Sequence, residues 1–108
     1  MKKLKPMSEP ARRVAELLDK GKRYEEVARE LGYKLKTVRH YYAQMYRNYV
    51  EAAKERLLDL YFRGYNPEVA KEVVKEELNL TDAMLLHASA KAGMEILKMW
   101  QRMMGLRK

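Results

Sequence analysis

Apolar residues recur three and four positions apart along almost the whole chain, and this spacing is the strongest constraint on its fold. Such spacing gathers them on one side of a helix, whereas a half-buried strand needs them at alternate positions. Only five glycines and three prolines interrupt the pattern in 108 residues. The sequence therefore predicts an all-α protein, with a tri-helical unit followed by a second small helical unit.

Caps and glycines divide the pattern into helices. Ser8 and Thr81 are suitable N-caps, and Gly21 and Gly32 are suitable stops. The predicted helices cover 9–20, 24–31, 35–63 with a kink or short break near residue 48, 67–78 and 82–104. In the third helix the spacing turns Val38, Met45 and either Tyr41 or Tyr42 inward. With Tyr41 taken as the inward residue, Leu35 and Ala43 are expected outward. The predicted units are 1–48 and 49–108.

Positive charge is concentrated in the first half of the chain. The formal net charge is +8; residues 1–50 hold 13 Lys and Arg against 6 Asp and Glu, and residues 51–108 hold 10 against 9. The excess includes a basic N-terminal tail with Lys2, Lys3 and Lys5. A concentrated positive field attracts a polyanion, so the first half is the candidate nucleic-acid surface.

A helix-turn-helix needs a small residue where its two helices touch, glycine in the turn and a branched apolar residue under the second helix. Ala28, Gly32 and Val38 stand at this spacing. The flanking apolar positions are also filled, by Val27, Leu31, Tyr33 and Tyr41. We therefore predict a DNA-binding helix-turn-helix in which the helix 34–47 enters the major groove.

With these residues, 14–49 resembles the helix-turn-helix of LuxR-type response-regulator output domains and of sigma-factor region 4; homeodomain-like and resolvase-type tri-helical domains are similar. The resemblance is carried by Glu26-Val27-Ala28, Leu31-Gly32 and Lys36-Thr37-Val38-Arg39. It implies sequence-specific binding of double-stranded DNA by a transcriptional regulator. The chain departs from the pattern at Lys34, where the family usually has a serine or threonine cap, because lysine cannot accept a hydrogen bond.

Helical spacing separates two sets of candidate contacts on this unit. The side chains expected to contact bases are Lys34, Lys36, Thr37, Arg39, His40 and Gln44, with Arg39 the best candidate for a bidentate contact to guanine. The side chains expected to contact phosphates are Arg12, Arg13, Lys22, Arg23, Tyr24 and Arg47.

The second half repeats the spacing of the motif in a weaker form. Six residues fall where the motif positions 27, 31, 32, 33, 34 and 38 fall: Val74, Leu78, Asn79, Leu80, Thr81 and Leu85. Lys75 replaces the small Ala28, and Asp82 would repel phosphate. We expect a degenerate helix-turn-helix kept for packing or pairing, the alternative being a second DNA-binding unit.

The last helix carries more apolar surface than a small unit easily hides. The expected homodimer interface consists of Ile96, Leu97, Trp100, Met103 and Met104; the alternative is an intramolecular core between the two units.

Composition disfavours several other classes of function. The chain has no cysteine, only two histidines and no glycine-rich phosphate loop, so we expect no enzyme, no metal site, no cofactor and no small-molecule ligand. No apolar run is long enough to cross a membrane, and a cytoplasmic location is expected. Two alternatives to a regulator stay open: a structural DNA adaptor such as a small packaging (terminase-like) subunit, and a protein-interaction module whose basic face binds an acidic protein.

Overall fold

A computed structural model describes residues 4–105; Lys2 and Lys3 of the basic tail lie outside the described residues. These residues form five helices and no strand, which confirms the all-α prediction. Helix α3 covers 35–62 as three consecutive segments. The helices are α1 (Glu9–Asp19), α2 (Tyr24–Leu31), α3 (Leu35–Thr37, a π-helical turn Val38–Tyr42, then Ala43–Phe62), α4 (Pro67–Leu78) and α5 (Asp82–Met103).

Local hydrogen bonds set the helix ends. The Ser8 hydroxyl accepts from the Ala11 N–H at 3.3 Å, and the Thr81 hydroxyl accepts from the Met84 N–H at 3.2 Å. Each cap satisfies one of the N–H groups that the first turn of a helix leaves without a partner. Both predicted caps are confirmed.

Two buried clusters hold the helices together. The smaller one joins α1, α2 and the start of α3, and consists of Val14, Leu17, Val27, Ala28 and Val38. The larger one is built mainly from the remainder of α3, α4 and the first half of α5, with Leu57, Leu80 and Met84 at its centre. Met7, Ala11 and Ala15 also belong to the larger cluster. Helix α1 therefore contacts both, and the smaller unit does not stand apart from the larger.

A π-helical turn changes the phase of α3. In a regular α-helix, Val50 would point about 120° away from Val38, because 12 residues are not a whole number of turns. The π turn takes up one extra residue, about 100°, and leaves the two valines on nearly the same side. Both are buried. One continuous helix can thus supply a residue to each cluster.

The π turn overturns two predictions for α3. Tyr41 was expected inside and is 61% exposed, whereas Ala43 was expected outside and is buried. The expected break near residue 48 is absent, because Ala43–Phe62 is one unbroken α-helix. A spacing of 3.6 residues per turn predicts the wrong side for each residue beyond an inserted one.

The backbone pattern of the first unit recurs in the second. Gly21 and Gly64, 43 residues apart, both have positive φ at a helix end; Gly32 and Asn79, 47 residues apart, both adopt the left-handed conformation after the next helix. The offset between the two units rises from 43 to 47 because helix α4 has 12 residues where α2 has 8, a difference of about one helical turn.

The hydrogen bonds at these turns correspond one by one. After α1, the Lys22 N–H donates to Leu17 O at 3.2 Å, and after α3 the Tyr65 N–H donates to Leu60 O at 3.1 Å. After α2, the Tyr33 N–H donates to Ala28 O at 2.9 Å, and after α4 the Leu80 N–H donates to Lys75 O at 3.1 Å. The weak repeat in the sequence thus corresponds to a repeat of helix, turn, helix, turn, helix in the backbone.

Arg12 joins α1 to the turn between α4 and α5. One guanidinium nitrogen donates to Asn79 O at 3.2 Å, Asn79 Oδ1 at 2.9 Å and Leu80 O at 3.0 Å. The Asn79 amide donates in turn to Met7 O at 3.0 Å. The side chain predicted to contact phosphate therefore holds the two units together. Its acceptors on Asn79 and Leu80 are separated from it by 67 and 68 positions in the sequence.

Replacing Arg12 with alanine is expected to lower the free energy of unfolding by about 1–3 kcal/mol, because the turn carbonyls lose a charged donor. Urea denaturation measures this change, and Arg13→Ala is the matched control, since Arg13 is exposed on the same helix. The control is expected to change stability by less than about 0.5 kcal/mol. Equal effects of the two substitutions would contradict the anchoring role.

Candidate nucleic-acid interface

The first turns of α3 present a basic face. Leu35 was expected outward but is half-buried, because it packs with the fully buried Val38 against α1 and α2. The side chains between these two residues, and those from 39 to 41, point outward. The residues predicted to contact bases are all exposed: Lys34, Lys36, Thr37, Arg39, His40 and Gln44. We call these six residues, with Tyr41, the α3 face.

The positive charges of the α3 face are not neutralised by neighbours. Residues 31–50 contain Lys34, Lys36, Arg39 and Arg47 and no carboxylate. Among residues 4–105, the first three of these cations form no ion pair. Some cations elsewhere differ, since Lys71 and Arg63, for example, lie within 3.3 Å of Glu68 and Asp59. An uncompensated cluster of this kind is available to an external anion.

Tyr41 is the residue of this face that the sequence analysis missed. Its ring packs edge-on against Tyr42 at a centroid distance of 4.9 Å, and Tyr42 stacks on Tyr33 at 5.7 Å. Burial, reinforced by Tyr33 and Tyr41, raises the pKa of the Tyr42 phenol. The adjacent tyrosines were the available signal, because two successive helical residues cannot both point into one core.

A groove of about 440 Å³ adjoins the α3 face. It lies between the segment before α1, with Leu4 and Pro6, and α3, where His40, Tyr41 and Gln44 form part of its wall. The Tyr49 hydroxyl donates to Lys5 O and fixes the segment against α3. The face therefore continues into a concave surface with both aromatic and amide groups.

The residues predicted to contact phosphate are in varied surroundings. Arg13 and Arg23 are exposed and form no ion pair among residues 4–105, and Tyr24 is also exposed. Lys22 lies 3.1 Å from Glu30, and Arg47 donates to Gln44 Oε1 at 2.7 Å. Arg12 is engaged within the fold. The structure therefore leaves Arg13, Arg23 and Tyr24 as the unengaged members of this set.

Two hydrogen bonds orient the helices behind the face. Glu26 Oε1 accepts from the Arg23 N–H at 2.8 Å at the start of α2. At the start of α3 the N-cap residue Lys34 makes no side-chain capping hydrogen bond. The Tyr46 hydroxyl donates to Asp19 at the end of α1. Burial, then the bond to Asp19, raises the pKa of the Tyr46 phenol.

Stability is expected to fall as the pH rises above about 10, the ordinary tyrosine value. The folded chain keeps the Tyr46 proton at a pH where the unfolded chain loses it, so the folded state binds more protons in this range and loses stability with increasing pH. Urea midpoints between about pH 9 and about pH 11 test this. Tyr46→Phe is expected to reduce the slope, leaving a smaller one from Tyr42 and Tyr49, whose pKa values are also raised. An unchanged slope would contradict the assignment.

No family model, no curated protein and no solved structure matches the chain. The resemblance to LuxR-type and sigma-factor region 4 domains thus stays a prediction.

Residues 4–105 hold no group of three or more His, Asp or Glu side chains arranged for a metal ion. None of the described helices is long and apolar enough to cross a membrane.

The residues predicted for a dimer interface lie on the last turns of α5. Leu97, Trp100, Met103 and Met104 are each more than half exposed, and Ile96 is half-buried. None of the five belongs to either buried cluster.

Proposed function

We propose that this protein binds double-stranded DNA in a sequence-specific manner, with the start of α3 in the major groove, and acts as a transcriptional regulator. The observation that carries the proposal is the α3 face: exposed, free of carboxylates and held by a buried valine. A helix of this width fits the major groove, where base edges present distinct patterns of donors and acceptors.

The side chains of the α3 face have the chemistry of direct base contact. Arg39 and Lys36 are suited to the O6 and N7 acceptors of guanine. Gln44 is suited to adenine, and a contact there replaces its bonds to Arg47 and Asn48. Thr37 and His40 can donate to base or phosphate oxygens. Tyr41, turned outward by the π turn, adds a ring and a hydroxyl beside them.

Phosphate contacts from a second element would fix the orientation of α3 on the duplex. Arg13, Arg23 and Tyr24 are exposed near α1 and the start of α2 and are the proposed contacts. Arg12 leaves this set because of its bonds to Asn79 and Leu80.

The proposal includes a homodimer. One short helix contacts few base pairs, and two copies contact two half-sites about one helical turn of DNA apart, which raises both affinity and specificity.

The test is binding to a pool of random duplexes at two salt concentrations, followed by sequencing of the bound fraction. Enrichment of a short inverted repeat, with an affinity that falls as salt rises, is the expected result. Salt-dependent binding without an enriched motif would favour the structural adaptor and contradict the regulator. Absence of duplex binding would overturn the proposal and favour an acidic protein partner.

A further inference from the structure

The second half of α5 extends beyond the folded core. Ala92 is the last residue of the larger cluster, and no side chain from 93 to 105 is buried. Large apolar side chains nevertheless continue along this part of the helix, namely Met94, Leu97, Met99, Trp100, Met103 and Met104. A helical segment of this length is marginal in water without tertiary packing. Its exposed apolar side chains and its helical state together indicate that a partner covers this segment.

One apolar seam runs along the whole of α5. Its positions are spaced alternately three and four residues apart: Ala83, Leu86, Ala90, Gly93, Leu97, Trp100 and Met104. We call this set the α5 seam. Leu86, Leu97 and Trp100 are 69%, 51% and 59% exposed, and no seam position is charged. Alternation of three and four is the spacing by which two helices pack along a shared axis.

Two positions of the α5 seam fall where two residues of the α3 face fall in the first unit. At the offset of 47 residues, Ala83 corresponds to Lys36 and Leu86 to Arg39, whereas Thr37 corresponds to the buried Met84. At these two positions the repeated backbone presents cations in the first unit and apolar groups in the second. An apolar helix face excludes phosphate and is suited to another protein surface.

We propose that the α5 seam pairs with the α5 seam of a second copy of this chain, with the two helices antiparallel. In this register Trp100 lies opposite the partner copy's alanine at position 83, Leu97 opposite its leucine at position 86, and Gly93 opposite its alanine at position 90. A large side chain meets a small one at each end, and small residues meet at the centre. The seam is therefore complementary to itself, which a two-fold interface requires.

The charges and the central glycine agree with the antiparallel orientation. Asp82, which Lys75 already pairs at 2.6 Å, stands at the N-terminal end of α5, and Arg102 stands near its C-terminal end, so antiparallel helices bring opposite charges and opposite dipole ends together. A Cβ at position 93 would meet no atom of another described part of the fold within 4 Å. The fold of one copy therefore leaves this space open, and a close helix–helix approach uses it.

The pairing rests on the homodimer of the proposed function but not on its DNA binding, so it is tested without DNA. Sedimentation equilibrium of the full chain is expected to give twice the mass of one copy. Leu97→Glu is expected to give the mass of one copy, because it buries a charge in the seam. Lys98→Glu, one residue away and off the seam, is expected to stay dimeric. A monomeric wild-type chain, or a dimeric Leu97→Glu variant, would overturn the proposal.

Disulfide trapping tests the orientation, because the chain has no cysteine of its own. Leu86→Cys and Leu97→Cys replace exposed side chains and are prepared separately, then mixed and oxidised. The antiparallel register predicts a mixed disulfide between the two variants and little cross-linking of either alone, since like positions lie about 16 Å apart along the axis. Cross-linking of each variant to itself without the mixed product would overturn the antiparallel register.

The two proposals fail separately. A dimer without duplex binding would overturn the proposed function and leave the seam intact. Duplex binding by a monomer would overturn the seam and the homodimer of the proposed function, and leave its DNA binding intact.

Discussion

Alanine at both Lys36 and Arg39 is expected to weaken binding to the preferred duplex by about 2–4 kcal/mol, a factor of about 30 to 1,000 in the dissociation constant. The two side chains are exposed on the same turn of α3 and form no ion pair among the described residues, so their removal leaves the fold intact. Fluorescence anisotropy on the enriched duplex and on a scrambled duplex measures the change. The loss is expected to be larger on the enriched one, because base contacts carry the sequence preference.

The control for charge is a double variant with alanine at Arg63 and Lys71, which also removes two positive charges but lies away from the α3 face. Its effect is expected to be small, since both side chains are already paired with carboxylates. An equal loss for the two double variants would mean that net charge alone drives binding. An equal loss on both duplexes would mean that Lys36 and Arg39 contact only phosphates.

Leu57→Ala is expected to lower the free energy of unfolding by about 2–5 kcal/mol, the largest effect of any single change considered. Leu57 is fully buried at the centre of the larger cluster, where a shortened side chain leaves a cavity. Phe62→Ala, on the same helix but 62% exposed, is the matched control and is expected to cost far less. Urea denaturation measures the loss of stability in both variants, as a lower midpoint with an unchanged dependence of the unfolding free energy on urea concentration. Similar losses would contradict the placement of the core.

The sequence was sufficient for features that depend on local chemistry. Ser8 and Thr81 cap helices as predicted because each hydroxyl bonds an N–H only three residues away. Gly32 takes the left-handed conformation that its place after α2 predicts. The predicted base-contact residues are exposed because Leu35 and Val38, within the same turns, hold the opposite side inward. Whether they contact DNA stays a prediction.

The features that the sequence analysis missed depend on distant residues. The outward position of Tyr41 follows from a π turn, and its phase change places Val38 and Val50 on nearly the same side of α3, each in a different cluster. Arg12 could not be assigned to the inside of the molecule, because its acceptors on Asn79 and Leu80 come close only when α1 packs beside the turn after α4.

The sequence by itself thus determined that the chain is helical, where most helices begin and end, and which half carries the basic excess, since spacing, capping and charge are properties of neighbouring residues. Only the tertiary structure decided that Tyr41 faces outward and Ala43 inward, that Arg12 links the two units, and that the α5 seam lies uncovered. These outcomes depend on how five helices fill two cores at once, and no local segment contains that information.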